Sequence, residues 1–205
     1  MDPQSVALFA VWYVVFLLSL TCHEAAHAFV ALRGGDDTAQ RSGQVTLNPL
    51  PHMRREPIGT VVVPLLTYFQ LGYVMGWASA PYDPHWSRRH PARAALMALA
   101  GPLANLGLAA SAFAGLKVGL ASVGGLGSFL SVMLLLNVAL FLFNLIPLPP
   151  MDGAAVLAGL FAPARGLLER IAATPFGSLA GLLVAWWIFP RLLFPVFGWI
   201  QGFLR

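Results

Sequence analysis

The run from Val6 to Cys22, VALFAVWYVVFLLSLTC, carries no charge, and it delivers His23-Glu24-Ala25-Ala26-His27 at its far end. A run of this length and composition predicts a membrane helix, which constrains every other part of the chain. On a helix, side chains four apart lie one turn above each other on one face, so both imidazoles can reach one metal ion. Glu24 is offset by one position, close enough to move a proton of metal-held water without being a ligand. The arrangement is that of a zinc hydrolase. The alternative is a surface helix carrying the pentapeptide by chance. The apolar run argues against it, because ionisable groups in such a helix are costly and mark function.

Composition agrees with a membrane setting. The chain has 205 residues, 58% of them hydrophobic and 10% charged, with mean hydropathy +0.74. The fold class expected is an all-α polytopic membrane protein, a transmembrane helix bundle. No stretch is polar enough for a second, soluble domain, so residues 1–205 read as one membrane-embedded domain with its core over about 6–160. The net charge of +4 comes from arginines between apolar runs. Such placement suits anchoring in a lipid bilayer at its cytoplasmic face, and no basic stripe for nucleic acid exists. The single cysteine, Cys22, excludes an intrachain disulfide and lies about 100° around the helix from His23, a packing position. The leading MDPQS has no basic residue, and cleavage after the run would discard the histidines. A removable signal peptide is therefore not expected.

The first apolar stretch, Val6 to Leu32, stops at Arg33-Gly34-Gly35. Within the polar stretch that follows, RSGQVTLNP alternates around Gly43 and predicts a short strand or hairpin. The second stretch, Ile58 to Trp77, is interrupted by Pro64, Gly72 and Gly76. The third runs from Ala92 to about Gly115, and the fourth from Leu126 to Ile146. The last, Phe176 to Leu204, contains Pro190 and Pro195 and either crosses with a kink or ends in the interface.

A zinc site needs a third protein ligand, and carboxylates are scarce, with eight in the chain. Asp152 stands in NLIPLPPMDG, where Pro147, Pro149 and Pro150 must break the helix just before it. Non-helical backbone at membrane depth is tolerated where it lines a cavity, so the break can aim Asp152 at a metal on a neighbouring helix. Its other reading is an N-cap for AAVLAGLFA, which leaves the three prolines unexplained. In the third stretch Ala98, Gly101, Asn105, Ala109 and Ala112 fall at three- and four-residue spacing, a ridge for close helix packing. Asn105 either hydrogen-bonds across that interface or faces the catalytic cavity. Asn144 has the same two readings nearer the break, where an amide could hold a substrate strand or stabilise an oxyanion.

HEAAH in an apolar helix, AGPLANL in a later one and NLIPLPPMDG closing the next together resemble the site-2 protease family of intramembrane zinc metalloproteases. The resemblance covers about Val6 to Leu160, and the Asn144-to-Gly153 pattern makes it specific. It implies one zinc ion held by His23, His27 and Asp152, with Glu24 as the base. It also implies a transmembrane protein as substrate and a place in a bacterial inner membrane, while Arg33, Arg41, Arg54 and Arg55 after the first stretch lead us to expect the site near the cytoplasmic face. The chain is similar to a minimal branch of that family in Asn48-Pro49-Leu50-Pro51-His52 and Gly76-Trp77-Ala78-Ser79-Ala80-Pro81. It departs from the branch at Glu56 in place of Asp, Ser79 in place of Lys, and Ala94 where Asp often stands. These positions lie outside the metal motifs and bear on substrate handling. The family's soluble appendages are not expected.

A helical substrate must unwind locally, and its freed backbone groups need partners in the membrane. RSGQVTL could supply them by strand addition, with His52 as either a polar contact or a residue satisfied within its loop. Two readings without proteolysis compete. A metal transporter would spread its ligands along a path, whereas here they concentrate at one depth. A catalytically dead binding protein would have no use for Glu24. One topological expectation follows: Asp152 meets the histidines only if Ile58–Trp77 is re-entrant, because a full crossing there would put it at the wrong end.

Overall fold

The computed structural model describes residues 3–204, and helix is the regular structure found among them. The elements are α1 (Pro3–Arg33), α2 (Thr38–Arg41), α3 (Pro49–Arg55), α4 (Val63–Leu71), α5 (Pro84–Arg89), α6 (Pro91–Lys117), α7 (Leu126–Asn144), α8 (Asp152–Leu160), α9 (Ala162–Ala173) and α10 (Gly177–Leu204). Four of them, α1, α6, α7 and α10, are long and apolar enough to cross a membrane.

The bundle is built around α6, which packs on α1, α7 and α8. It runs antiparallel to α1: Met97 meets His27, and Asn105 meets Ser19. Helix α7 returns parallel to α1, bringing Asn137 to Ser19. Lipid tails are as apolar as leucine, so hydrophobic burial gives these helices no reason to associate; close packing and hydrogen bonds must do it. The expected ridge supplies the closeness: Ala98, Gly101, Asn105, Ala109 and Ala112 are all buried. At the other end of α6, Gly159 of α8 sits where an added Cβ would run into the Pro91 carbonyl and the Ala95 side chain.

The excursion from residue 34 to residue 90 starts and finishes at the same end of the bundle. Helix α1 stops at Gly35, in the left-handed region with φ +97°. Asp36 is buried, and its carboxylate accepts hydrogen bonds from the Thr38 amide (3.0 Å), the Thr38 hydroxyl and the Asp83 amide (2.7 Å). Burial works against its ionisation, but the bonds from Thr38 and Asp83 outweigh it and hold its carboxyl below the usual range. The Trp86 indole and Arg93 both donate to the Gly34 carbonyl at 3.0 Å, locking the start of α6 beside the end of α1.

One expectation is overturned within this excursion. The strand or hairpin over RSGQVTLNP is not formed. The Gly43 and Gln44 amides bond back to Gln40 and Ala39, and Asn48 caps α3. With Gly43 at φ +68° the chain curls locally, and among the described residues no second extended segment lies alongside for it to pair with. His52 is buried and accepted into that loop through its Nε2 contact with the Thr46 carbonyl at 3.0 Å. The Ile58–Trp77 stretch is helical only over Ile58–Leu71, beginning with a π-helical turn at Ile58–Val62 and ending at Gly72 with φ +80°. That helix is about 21 Å long, short of the roughly 30 Å of a hydrocarbon core. The last stretch, by contrast, is one helix that continues through Pro190 and Pro195. It docks by Gly181 and Ala185 on the turn after α7, leaving Trp187 and Trp199 exposed.

Gly159→Ala is expected to destabilise the folded protein by about 1–3 kcal/mol, since its methyl meets backbone that cannot yield. Gly107→Ala, on the open face of the same α6, should be neutral or slightly stabilising. Thermal unfolding in detergent compares the two, and equal midpoints would refute the packing described.

Candidate metal centre

Helix α1 carries His23, Glu24 and His27 into the interior, where they are 5%, 5% and 9% exposed. Their metal-binding atoms lie within 4.8 Å of one another. The two imidazoles are set edge to face, with Nε2 atoms 2.9 Å apart. Asp152 reaches them from the break after α7: its Oδ2 is 3.1 Å from His23 Nε2 and 3.4 Å from His27 Nε2. The N-cap alternative for Asp152 is not adopted, since Met151 occupies the cap and Asp152 is the first helical residue.

Local sequence explains the aim of that carboxylate. Helix α7 ends at Asn144, and Leu145–Met151 form a tight turn containing the cis Pro149–Pro150 bond. Gly153 is packed so closely beneath the turn that a Cβ would strike the Leu145 and Ile146 carbonyls. The Asp-Gly pair is thus fixed to the end of α7. Across the site, Gly101 of α6 faces both rings, and a Cβ there would collide with the Nε2 atoms of His23 and His27.

The other ring nitrogens decide what these atoms can bind. His27 Nδ1 lies 2.7 Å from the Met97 carbonyl, and His23 Nδ1 lies 2.6 Å from Asn105 Oδ1. Both partners accept only, so each Nδ1 carries a proton and donates it. In a neutral imidazole this leaves both Nε2 lone pairs pointing at each other and at a carboxylate. Asp152 Oδ2 is buried and makes no hydrogen bond to any described residue. Three Lewis-basic atoms gathered without a shared proton repel one another, and a cation between them removes the repulsion. Ligands about 2.0–2.2 Å from a tetrahedral ion stand about 3.3–3.6 Å apart, near the 3.1 and 3.4 Å between carboxylate and imidazoles and wider than the 2.9 Å between the imidazoles. The donor set, two imidazoles and one carboxylate, therefore fits zinc.

Glu24 is next to this set, and its carboxylate makes no hydrogen bond to a described residue. Asn144 is not drawn into the cluster: its amide nitrogen donates to the Leu140 carbonyl of its own helix at 3.0 Å. Asn105 is the amide that touches a histidine, and it also donates to Ser19 and Asn137 across the helix interface. Of its two sequence readings the structure adopts the hydrogen bond across the interface, with the His23 contact on the ring's Nδ1 side. Met97 escapes sequence reasoning altogether, because a backbone carbonyl carries no residue signature.

Residues 118–188 match peptidase family M50. The chain is 38% identical over 159 residues to "Putative zinc metalloprotease YwhC" of Bacillus subtilis (strain 168), covering 73% of this chain and 68% of that protein. It is 30% identical over 158 residues to "Putative zinc metalloprotease Rip2" of Mycolicibacterium smegmatis, covering 74% of this chain and 58% of that one. With the Rip2 protein of Mycobacterium tuberculosis (strain ATCC 25618 / H37Rv) it shares 32% identity over 143 residues, 69% of this chain and 54% of the relative. The chain thus spans a little over half the length of the Rip2 relatives. No solved structure matches. A multi-pass helix bundle built around a buried His-Glu-x-x-His helix is the architecture of an integral membrane metalloprotease. The chain belongs to peptidase family M50, the site-2 protease family, whose members are zinc metalloproteases.

Gly101→Ala tests the cradle. Alanine improves helix propensity, so helicity by circular dichroism should hold or rise. Zinc content of the purified variant should fall to background, because the methyl takes the space the imidazoles need. Full zinc occupancy would show that the rings do not work in this position.

Proposed function

We propose that the protein hydrolyses peptide bonds within or near the transmembrane segments of membrane-protein substrates, with His23, His27 and Asp152 holding one zinc ion. The observation that carries this reading is the convergence of two imidazole nitrogens and a carboxylate oxygen, with Glu24 beside them, inside a bundle of membrane-length helices. When bound there, zinc supplies a Lewis acid for a carbonyl oxygen and lowers the pKa of water towards about 7. Glu24 is the base that takes the proton from the attacking water and returns it to the leaving amine. Asn144 contributes a substrate contact through its side-chain oxygen or the second hydrogen of its amide, the first being given to Leu140.

The substrate strand is assigned to the segment from Gly76 to Asp83 instead of RSGQVTL. That segment is not helical, and Ala78, Ser79 and Ala80 have no backbone hydrogen bond to a described residue. It starts against Phe16 at Gly76 and ends at Asp36, where the Asp83 amide is bound. Between those anchors it passes the level of Glu24, which shares a helix face with Phe16 and Ala31. Free main-chain groups at that level suit pairing with an unwound substrate. A photo-crosslinker at Ala78 or Ala80 in a Glu24→Gln background should capture substrate, and capture at Thr46 alone would contradict the assignment.

The metal roles separate by variant. Glu24→Ala is expected to keep zinc and reduce proteolysis at least about a thousandfold, while His23→Ala, His27→Ala and Asp152→Ala lose both. Metal analysis beside a cleavage assay in detergent decides it. Zinc loss in Glu24→Ala, or full activity in Asp152→Ala, would overturn the roles. A transporter or a binding protein would bind zinc with no cleavage in any variant.

The arginines at the end of α1 and in the excursion (Arg33, Arg41, Arg54, Arg55, Arg88, Arg89 and Arg93) support a cytoplasmic position for that end, as the positive-inside rule prefers. The site is then reached by water from the cytoplasm, and Ile58–Leu71 enters and leaves on that side. With Cys22 replaced by Ser, single cysteines at Ser42 and Ser87 should react with an impermeant thiol reagent from the same face of oriented membranes. Reaction from opposite faces would refute the re-entrant topology.

A further inference from the structure

Behind His23 lies a chain of fully buried polar side chains that metal binding alone does not require. Asn105 Oδ1 meets His23 Nδ1 at 2.6 Å, Asn105 Nδ2 meets Asn137 Oδ1 at 2.8 Å, and Asn137 Nδ2 meets Ser19 Oγ at 2.8 Å. Ser19 Oγ in turn meets the Val15 carbonyl at 2.7 Å. Ser19, Asn105 and Asn137 are each 0% exposed, in three different helices. An unsatisfied polar group in such surroundings costs several kcal/mol, so each must find its partner inside the bundle.

Backbone carbonyls fix the direction of every bond. The Ser19 hydroxyl gives its only proton to Val15, so its oxygen accepts from Asn137. The Asn137 nitrogen also donates to the Met133 carbonyl at 2.9 Å, which excludes the flipped amide. Its oxygen therefore faces Asn105, whose nitrogen is further held by the Ser19 carbonyl at 3.3 Å. Only an acceptor, Asn105 Oδ1, is left for the imidazole. We propose that Ser19, Asn137 and Asn105 form a one-way hydrogen-bond relay that positions His23, keeping Nδ1 protonated and Nε2 free for the metal. His27 needs no such device, since a backbone carbonyl, that of Met97, cannot flip.

Asn105 and Asn137 are positioning residues, and Asn137 acts on the site only through Asn105. The proposal rests on the zinc reading above. The test is zinc affinity by chelator competition in the purified full chain, with thermal unfolding of the metal-free protein alongside. Asn105→Leu should weaken zinc binding about 10- to 100-fold, the usual effect of removing such a support. Asn137→Leu should weaken it at least about fivefold although it touches no ligand. The double variant should match Asn105→Leu, because both cut one path. Asn105→Asp, as a protonated carboxyl, keeps the acceptor for His23 and one donor for Asn137 and should recover most of the loss. A packing role alone would lower metal-free stability and leave zinc affinity unchanged.

If Asn137→Leu does not fold, Asn105→Asp and Ser19→Ala carry the test. Asn105→Asp binding as poorly as Asn105→Leu overturns the relay, as does Asn137→Leu binding within twofold of wild type or, where that variant does not fold, Ser19→Ala doing so. Wild type that binds no zinc overturns the zinc reading, and the relay falls with it.

Discussion

The approach of α6 to α1 at Gly101 is the contact on which the centre depends. Two imidazoles occupy the volume that any side chain at that position would fill. In lipid no hydrophobic force drives the two helices together, so the approach must come from small residues and from polar groups that bond across the seam. Asn105, one turn further along, does the second task while Gly101 permits the first. Packing and chemistry are here the same set of atoms.

The interior of the bundle is therefore unusual for its surroundings. His23, Glu24, His27, Asn105 and Asn137 are buried at depths where lipid offers no partner. All but Glu24 are matched to a specific neighbour. Glu24 alone is held without a hydrogen bond to a described residue, the condition a carboxylate needs if it is to exchange protons with water instead of serving as a structural anchor.

Much of this is legible in the amino-acid sequence alone. The His23–His27 spacing, the prolines before Asp152 and the small-residue ridge each carry a mechanism that works at the level of a single helix or turn. The long helices follow from uncharged runs, for the same reason. What is not legible depends on pairing across distance. RSGQVTL alternates like a strand, but alternation forms a strand only with a partner, and Gly43 closes a local turn instead. The non-helical piece, Gly76–Asp83, has no alternation and is held at its two ends by Phe16 and Asp36. Asn137 gives no signal at all, since one amide in an apolar run has meaning only through what faces it. Asn144, nearer the break, has the better sequence position but is held by its own helix.

The division of the donor atoms between two arms has a mechanical consequence. His23 and His27 ride on α1, whereas Asp152 is seated on the turn at the end of α7, fixed there by Gly153. An axial slip of one residue's rise between those arms, about 1.5 Å, is roughly half the present gap between Asp152 and His23. A bound ion would rivet the arms at a second point, beyond the Ser19–Asn137 bond that already joins α1 to α7. The grip of the donor set on an ion is thus set by how α1 and α7 stand against each other.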